Sequence, residues 1–201
     1  DMSVEEVLAD KPVCWPFTRA MCAPISDGAA AAVVCSEASL NRFDPARAIE
    51  IRGLSLASGT RREIGDYANH IGRRAALQAY EQAGITAAEI DVAEVHDATS
   101  FAEIQQIENL GLCAMGEGGP FSESGATSLG GQVPVNPSGG LVSKGHPVGA
   151  TGIAQIVELV SQLRGEAGER QVAGARIAVA ENGGGFCDVE EAATTVTVLA
   201  Q

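Results

Sequence analysis

Short apolar runs alternate along this chain with stretches of helical period, and the runs stop abruptly at polar or titratable residues. Val92 to Val95 ends at His96-Asp97, and Ile177 to Ala180 ends at Glu181-Asn182-Gly183-Gly184-Gly185. Ile49 to Leu56 alternates strictly and predicts a half-buried strand. Ala29 to Cys35, after Asp27-Gly28, predicts a buried strand, and the β-branched Thr194 to Leu199 a last one. Between them lie three helical stretches: Asn69 to Gln82, stopped by Gly84; Ser100 to Leu110, stopped by Gly111; and Ala150 to Leu163. In the third, Ile153, Ile156, Val157, Val160 and Leu163 recur at the spacing of one buried face. Ser36 is placed to cap a short helix through Asn41, and Thr86 and Glu89 have capping-box spacing. Such alternation predicts an α/β layered domain with a mixed sheet.

The chain has 201 residues, enough for one large domain or two small ones. Thirteen basic against 26 acidic residues leave a net charge of -13, which repels phosphate backbones and anionic lipid surfaces. Nucleic acid and membrane are therefore not expected partners, and no apolar run reaches the length of a membrane span. Five widely spaced cysteines (Cys14, Cys22, Cys35, Cys113, Cys187) form no C-x-x-C pair. They predict neither a disulfide framework nor a metal site, and point to a reducing, cytoplasmic setting. The opening Asp1-Met2-Ser3-Val4-Glu5-Glu6 lacks the basic-then-apolar order of a secretory leader.

Three places could carry chemistry, because sites in open α/β sheets gather at the carboxyl ends of strands. They are His96-Asp97, the segment Lys144-Gly145-His146-Pro147-Val148-Gly149 that closes a long glycine-rich loop from Gly116 to Gly145, and Glu181 to Gly185. His146 sits between a glycine and a proline, just before a helix N-terminus, where an imidazole could act on a thiol or an oxyanion. A solvent-exposed turn histidine fits the same local sequence. His96 reads either as a residue whose tautomer Asp97 fixes or as a strand-end histidine satisfied by backbone. His70, beside Arg73 and Arg74, is expected at the surface without a role. Gly183-Gly184-Gly185 could offer backbone N–H groups to a developing negative charge, or simply make a tight turn.

Asn136-Pro137-Ser138-Gly139-Gly140, followed by Lys144-Gly145-His146-Pro147-Val148-Gly149-Ala150-Thr151-Gly152, resembles the N-x-x-G-G-x-x-x-x-G-H-P-x-G-A-[ST]-G signature of thiolases. His96-Asp97-Ala98-Thr99 resembles the H-D-C-F motif of the sterol-carrier type, and Ser26 to Ala31 resembles the N-D-G-A-A segment that opens the family's C-terminal half. Glu181 to Gly185 stands where the family has its closing C-x-G-G-G. All four fall in family order and span nearly the whole chain.

The resemblance implies a thiolase C-terminal domain over residues 1–201, with helices on both faces of the sheet as one half of the layered αβαβα architecture. The family's nucleophilic cysteine belongs to the N-terminal half, so that half is an implied partner. By the same resemblance, His146 would activate that cysteine and donate to the thioester oxygen. His96 would hold a water or oxyanion at the first oxyanion site, and the Gly183 N–H would serve the second. No cofactor is implied; coenzyme A and acyl-CoA are substrates. A homodimer or larger assembly and a small zinc-ribbon and OB-fold protein are implied as partners. Two departures stand out: Ala98 and Glu181 occupy positions where the family keeps its acid/base cysteine. Glu181 could take that role if burial raised its pKa, or serve as a structural carboxylate. Related aldolases replace both histidines by tyrosine, so His96 and His146 favour thiolase over retro-aldol chemistry. The remaining alternative is a catalytically impaired subunit that binds acyl-CoA or scaffolds a complex.

Overall fold

The computed structural model describes residues 2–201. At the start, helix α1 (Val4–Ala9) opens on a capping box between Ser3 and Glu6. A two-stranded antiparallel ribbon, β1 (Pro12–Cys14) and β2 (Phe17–Thr18), follows. The body then runs β3 (Glu50–Ser58), α2 (Ile71–Ala83), β4 (Val92–Glu94), α3 (Ser100–Asn109), α4 (Gly118–Glu123), α5 (Gly140–Lys144), α6 (Thr151–Leu163), β5 (Ile177–Gly184) and β6 (Ala193–Ala200). Four strands form one sheet in the order β3-β6-β5-β4; β4 runs parallel to β5, and the other pairs are antiparallel. The mixed α/β architecture expected from the alternating pattern is the one observed.

Each face of the sheet carries its own core. On one face, α2 and α3 cover Ala93, Val95, Val179, Val196 and Val198 through Ile71, Ala75, Ala79 and Ile107. On the other, α6 covers Val92, Ala178, Ala180 and Leu199 through Leu159 and Leu163. The small residues of β3 explain how closely α2 lies on it. Gly53, Ser55 and Ala57 are buried; a Cβ at Gly53 would stand 2.3 Å from the Ala79 carbonyl oxygen, and the Ser55 hydroxyl donates to the Ala75 carbonyl at 2.6 Å. Helix α2 ends at Gly84 in the left-handed region (φ 66°), the usual role of a glycine just past a helix.

Four sequence expectations are corrected. Ala29 to Cys35 is not a buried strand: it is extended chain outside any sheet, with Val33 85% and Val34 74% exposed. High β propensity makes a strand only where a neighbouring strand and an apolar layer receive it, and neither meets this run. The Ser36 side chain makes no capping bond to the 3₁₀ turn that follows it. The long glycine-rich loop contains two short helices, α4 and α5. Only part of the apolar stripe of α6 is buried: Leu163 is in the core with Ile156 and Val160 packed against it, but Ile153 and Val157 are exposed, whereas Gln155, Glu158 and Gln162 are buried. The edge strand β3 behaves alike, because Ile51, Leu54 and Leu56 pair with Leu199, Thr197 and Thr195 on the α6 face of the sheet and remain exposed. The sheet thus turns an uncovered apolar surface towards the side of α6. No helix among the described residues is long and apolar enough to cross a membrane.

Candidate active site

Two histidines far apart in the chain meet at the N-terminus of α6. The Nε2 atoms of His96 and His146 are 3.3 Å apart, with ring centroids 4.9 Å apart at an interplanar angle of 59°. The segment around His96 is stitched to the loop that leads to His146. Ala93 N–H donates to the Pro134 carbonyl at 3.0 Å, and Asn136 N–H to the Ala93 carbonyl at 2.8 Å. Val95 N–H donates to Asn136 Oδ1 at 2.8 Å. Glu94 accepts from the Ser138 backbone and hydroxyl at 3.0 and 2.8 Å. Asp97 accepts from the N–H groups of Leu141 and Val142 at 2.8 and 3.3 Å, at the start of α5.

This geometry explains the Asn136 to Gly140 sequence. Asn136 adopts φ 52°, which asparagine tolerates better than most residues. Gly140 adopts φ 65°, and a Cβ there would lie 2.3 Å from Asp97 Oδ2. His146 is held in turn by its N–H bond to the Pro24 carbonyl at 2.8 Å, and its carbonyl accepts from Ser26 N–H at 3.4 Å. A cavity of about 190 Å³ opens beside it, lined by Ser26, Lys144, Pro147 and Thr151 among others.

Tautomers follow from the neighbours. Thr151 Oγ1 donates to the Pro147 carbonyl at 3.1 Å, so it accepts from His146 Nδ1–H at 2.7 Å. A neutral His146 therefore presents its Nε2 lone pair to His96, which donates from its own Nε2. Burial, then the neighbouring His146, holds His96 below the ordinary imidazole range, while the Gly183 carbonyl beside its ring acts in the opposite direction. The three residues singled out by the thiolase resemblance, His96, His146 and Gly183, are thus brought together.

Glu181 is placed differently from an acid/base on substrate. Successive strand residues face opposite sides, and Val179 belongs to the α2 and α3 face. Glu181 follows Val179 by two and shares that face, away from α6. It is wholly buried, its Oε2 accepts His96 N–H at 3.1 Å, and burial pushes its pKa up to about 8. Asn182 takes the face of α6 instead, donating to Gln155 Oε1 at 3.2 Å beside Gly152. Asn182 was missed in the sequence because polarity alone does not say which of two neighbouring residues faces a site. His70 is corrected from a surface residue to a buried one. It is 2% exposed and caps α2, with Nδ1 accepting Gly72 N–H at 3.1 Å. Among the described residues, no group of three metal-ligating side chains occurs, and neither active-site imidazole is hydrogen-bonded to a cysteine.

Comparison with known proteins agrees with this arrangement. The chain is 42% identical over 189 residues to human sterol carrier protein 2, covering 90% of this chain and 35% of that protein. It is 44% identical over 189 residues to the acetyl-CoA acetyltransferase of Methanothermobacter thermautotrophicus, covering 92% and 49%. It is 38% identical over 190 residues to the benzoylsuccinyl-CoA thiolase subunit BbsB of Thauera aromatica, covering 93% and 49%. The chain therefore spans between a third and a half of the length of these relatives. Its fold matches a solved Ltp2-ChsH2(DUF35) aldolase with a TM-score of 0.76 at 21% identity, over 99% of this chain and 51% of that one. Residues 57–199 match the model of the thiolase C-terminal domain-like family, and with the histidine pair and its glycine-rich loop in place, the chain belongs to that family.

Proposed function

We propose that this chain supplies the histidine and oxyanion groups of an acyl-CoA thiolase, which cleaves a 3-oxoacyl-CoA with CoA through an acyl-cysteine intermediate. The observation that carries this reading is the His96–His146 pair, with Nε2 atoms 3.3 Å apart at the end of the glycine-rich loop. His146, with Nδ1–H committed to Thr151, has the Nε2 lone pair that a general base for a thiol requires once the thiol takes the place of the His96 donor. Once it holds that proton, it becomes a donor to the thioester oxygen. His96 donates from Nε2 to a water or the oxyanion, and Gly183 offers its backbone N–H to the second oxyanion site. The nucleophilic cysteine comes from an N-terminal thiolase half. CoA is a substrate, and no cofactor is invoked. The exposed Ile51, Leu54, Leu56, Ile153 and Val157 suit a covering layer from that half within a dimer or larger assembly. A zinc-ribbon and OB-fold partner and a cytoplasmic location belong to the same reading.

The test is thiolysis of acetoacetyl-CoA or a longer 3-oxoacyl-CoA by the complete protein. His146→Ala should lower turnover by about 10² to 10⁴, the range for a general base. His96→Ala should lower it less, because that residue acts through a water. Equal, small effects would make both histidines structural and remove the reading. One observation favours a second reading, an acyl-CoA-binding subunit with impaired chemistry. Ala98 has no titratable group, and the hydrogen bond of Glu181 to His96 goes to the backbone N–H and not to the imidazole. Acyl-CoA binding without turnover in the complete protein would select it.

A further inference from the structure

Beneath the loop that carries His146, a chain of hydrogen bonds runs from β4 to the end of α5. Glu94 is 1% exposed and shares the α6 face of β4 with Val92, two residues before His96. Its Oε1 accepts Ser138 N–H at 3.0 Å, and its Oε2 accepts the Ser138 hydroxyl at 2.8 Å. Ser138 Oγ accepts in turn from Lys144 Nζ, which also lies 3.8 Å from Glu94 Oε2. Lys144 is the last residue of α5 and stands two residues before His146. The backbone just ahead of one histidine is thereby joined to the backbone just ahead of the other.

Donor and acceptor roles run one way along this chain. An ammonium only donates, so Ser138 Oγ accepts from Lys144 and turns its single O–H to Glu94, whose two oxygens both accept. The pattern calls for a carboxylate at 94 and a cation at 144. Lys144 is one of only two lysines in the sequence, and it faces Asp97 as well as Glu94. Across from them on α6, Glu158 has its own partner in Arg170 at 3.0 Å. Burial pushes the pKa of Glu94 up to about 7, with Glu158 acting in the same direction and Lys144 and Ser138 against it. Ionising Glu94 as pH rises from 4.5 through 7 therefore costs the fold stability, which argues that the anion is kept for what it holds. The other ties between the two histidine segments lie farther from His146: Asn136 on Val95, and Leu141 and Val142 on Asp97. Pro24, Ser26 and Thr151 hold His146 itself, but none of them belongs to the strand end that carries His96.

We propose that Glu94, Ser138 and Lys144 form one relay that sets the position of His146 against His96, with Glu94 and Lys144 as positioning residues. The relay stands on its contacts alone, whereas its consequence for turnover rests on the thiolase reading.

The experiment uses the complete protein as wild type, Glu94→Gln, Lys144→Met and the double variant. It measures kcat and KM for thiolysis of acetoacetyl-CoA, and amide hydrogen exchange over residues 138–146. The Lys144 side chain is 31% exposed, so Met is accommodated without disturbing the core, and Ser138→Ala replaces Glu94→Gln in the cycle if that variant does not fold. Each single variant should lower kcat by about tenfold or more with KM changed by less than about twofold, since small misplacements of reacting groups cost that much. The double variant should fall no further than the worse single, because both break the same relay. Exchange of the Gly145 and His146 N–H groups, which donate to the Leu141 and Pro24 carbonyls, should quicken in each single variant and no further in the double. Losses that multiply in the double variant would overturn the relay, and unchanged exchange at 145 and 146 would overturn the positioning role. Because Lys144 also lines the cavity beside His146, a raised KM at unchanged kcat in Lys144→Met would make it a substrate ligand and equally overturn that role. If wild type performs no thiolysis, the thiolase reading fails, and the exchange rates alone decide the relay.

Discussion

Removing the Asp97 carboxylate should unfasten the glycine-rich loop from the strand end that carries His96. Asp97 is 4% exposed and accepts the N–H groups of Leu141 and Val142. Burial raises its pKa despite those two donors and the nearby Lys144, so its negative charge gains little by being there. The larger loss in Asp97→Ala comes from the donors left behind. Leu141 is 2% exposed, and a buried N–H without an acceptor costs about 1–3 kcal/mol; Val142, half-buried and bonded at 3.3 Å, adds less. The sum is about 2–4 kcal/mol, a large share of the roughly 5–15 kcal/mol by which domains are stable. For a chain of this size that lowers the melting temperature by about 4–16 °C, at roughly 2–4 °C per kcal/mol. Asp97→Asn keeps one acceptor oxygen and turns an amide N–H₂ towards the second donor, so it should cost about half as much. Urea unfolding at pH 7, read as a midpoint shift at constant slope, measures both. A cost below about 1 kcal/mol for Ala would refute the reasoning, as would an Asn variant no better than Ala.

Gly140→Ala should destabilise through its φ of 65° and the 2.3 Å approach of its new Cβ to Asp97 Oδ2. The same change should cost less in an Asp97→Ala background, a coupling that a double-mutant cycle of unfolding free energies reads directly. Burial raises Glu94 to about 7 from 4.5, so its contribution to stability is full below 4.5 and lost as pH rises through 7. Glu94→Gln should flatten melting temperature against pH between 5 and 7, leaving the steeper part nearer 8 to Glu181. Replacing the exposed Leu54 and Leu56 by Thr should reduce self-association of the isolated chain in sedimentation velocity, because large uncovered apolar patches drive it. Unchanged sedimentation would mean that this surface needs no cover.

Most element types and the site motifs are legible in the residue pattern, although Ala29 to Cys35 has the pattern of a strand and forms none. Periodicity marked α2, α3 and α6 to within a residue or two, and the apolar runs located β4 and the start of β5, which continues past the expected end at Ala180 through Gly184. Gly139, Gly140 and Gly145 announced a backbone that other residues would strain, and the thiolase motifs named the two histidines that the fold brings to 3.3 Å. Local pattern could not say which side of an element meets which neighbour. Ile153 and Val157 of α6 and the leucines of β3 look like core positions, yet they are exposed, because burial depends on what lies opposite and not on the residue alone. His70 sits among arginines in the sequence but caps a helix in the interior. The sharpest case is Glu181 against Asn182, adjacent and both polar. Strand pleating sends one into the α2 and α3 layer and the other towards the N-terminus of α6. Only the register of β5 between its neighbours decides which is which, since a shift of one residue exchanges the two faces.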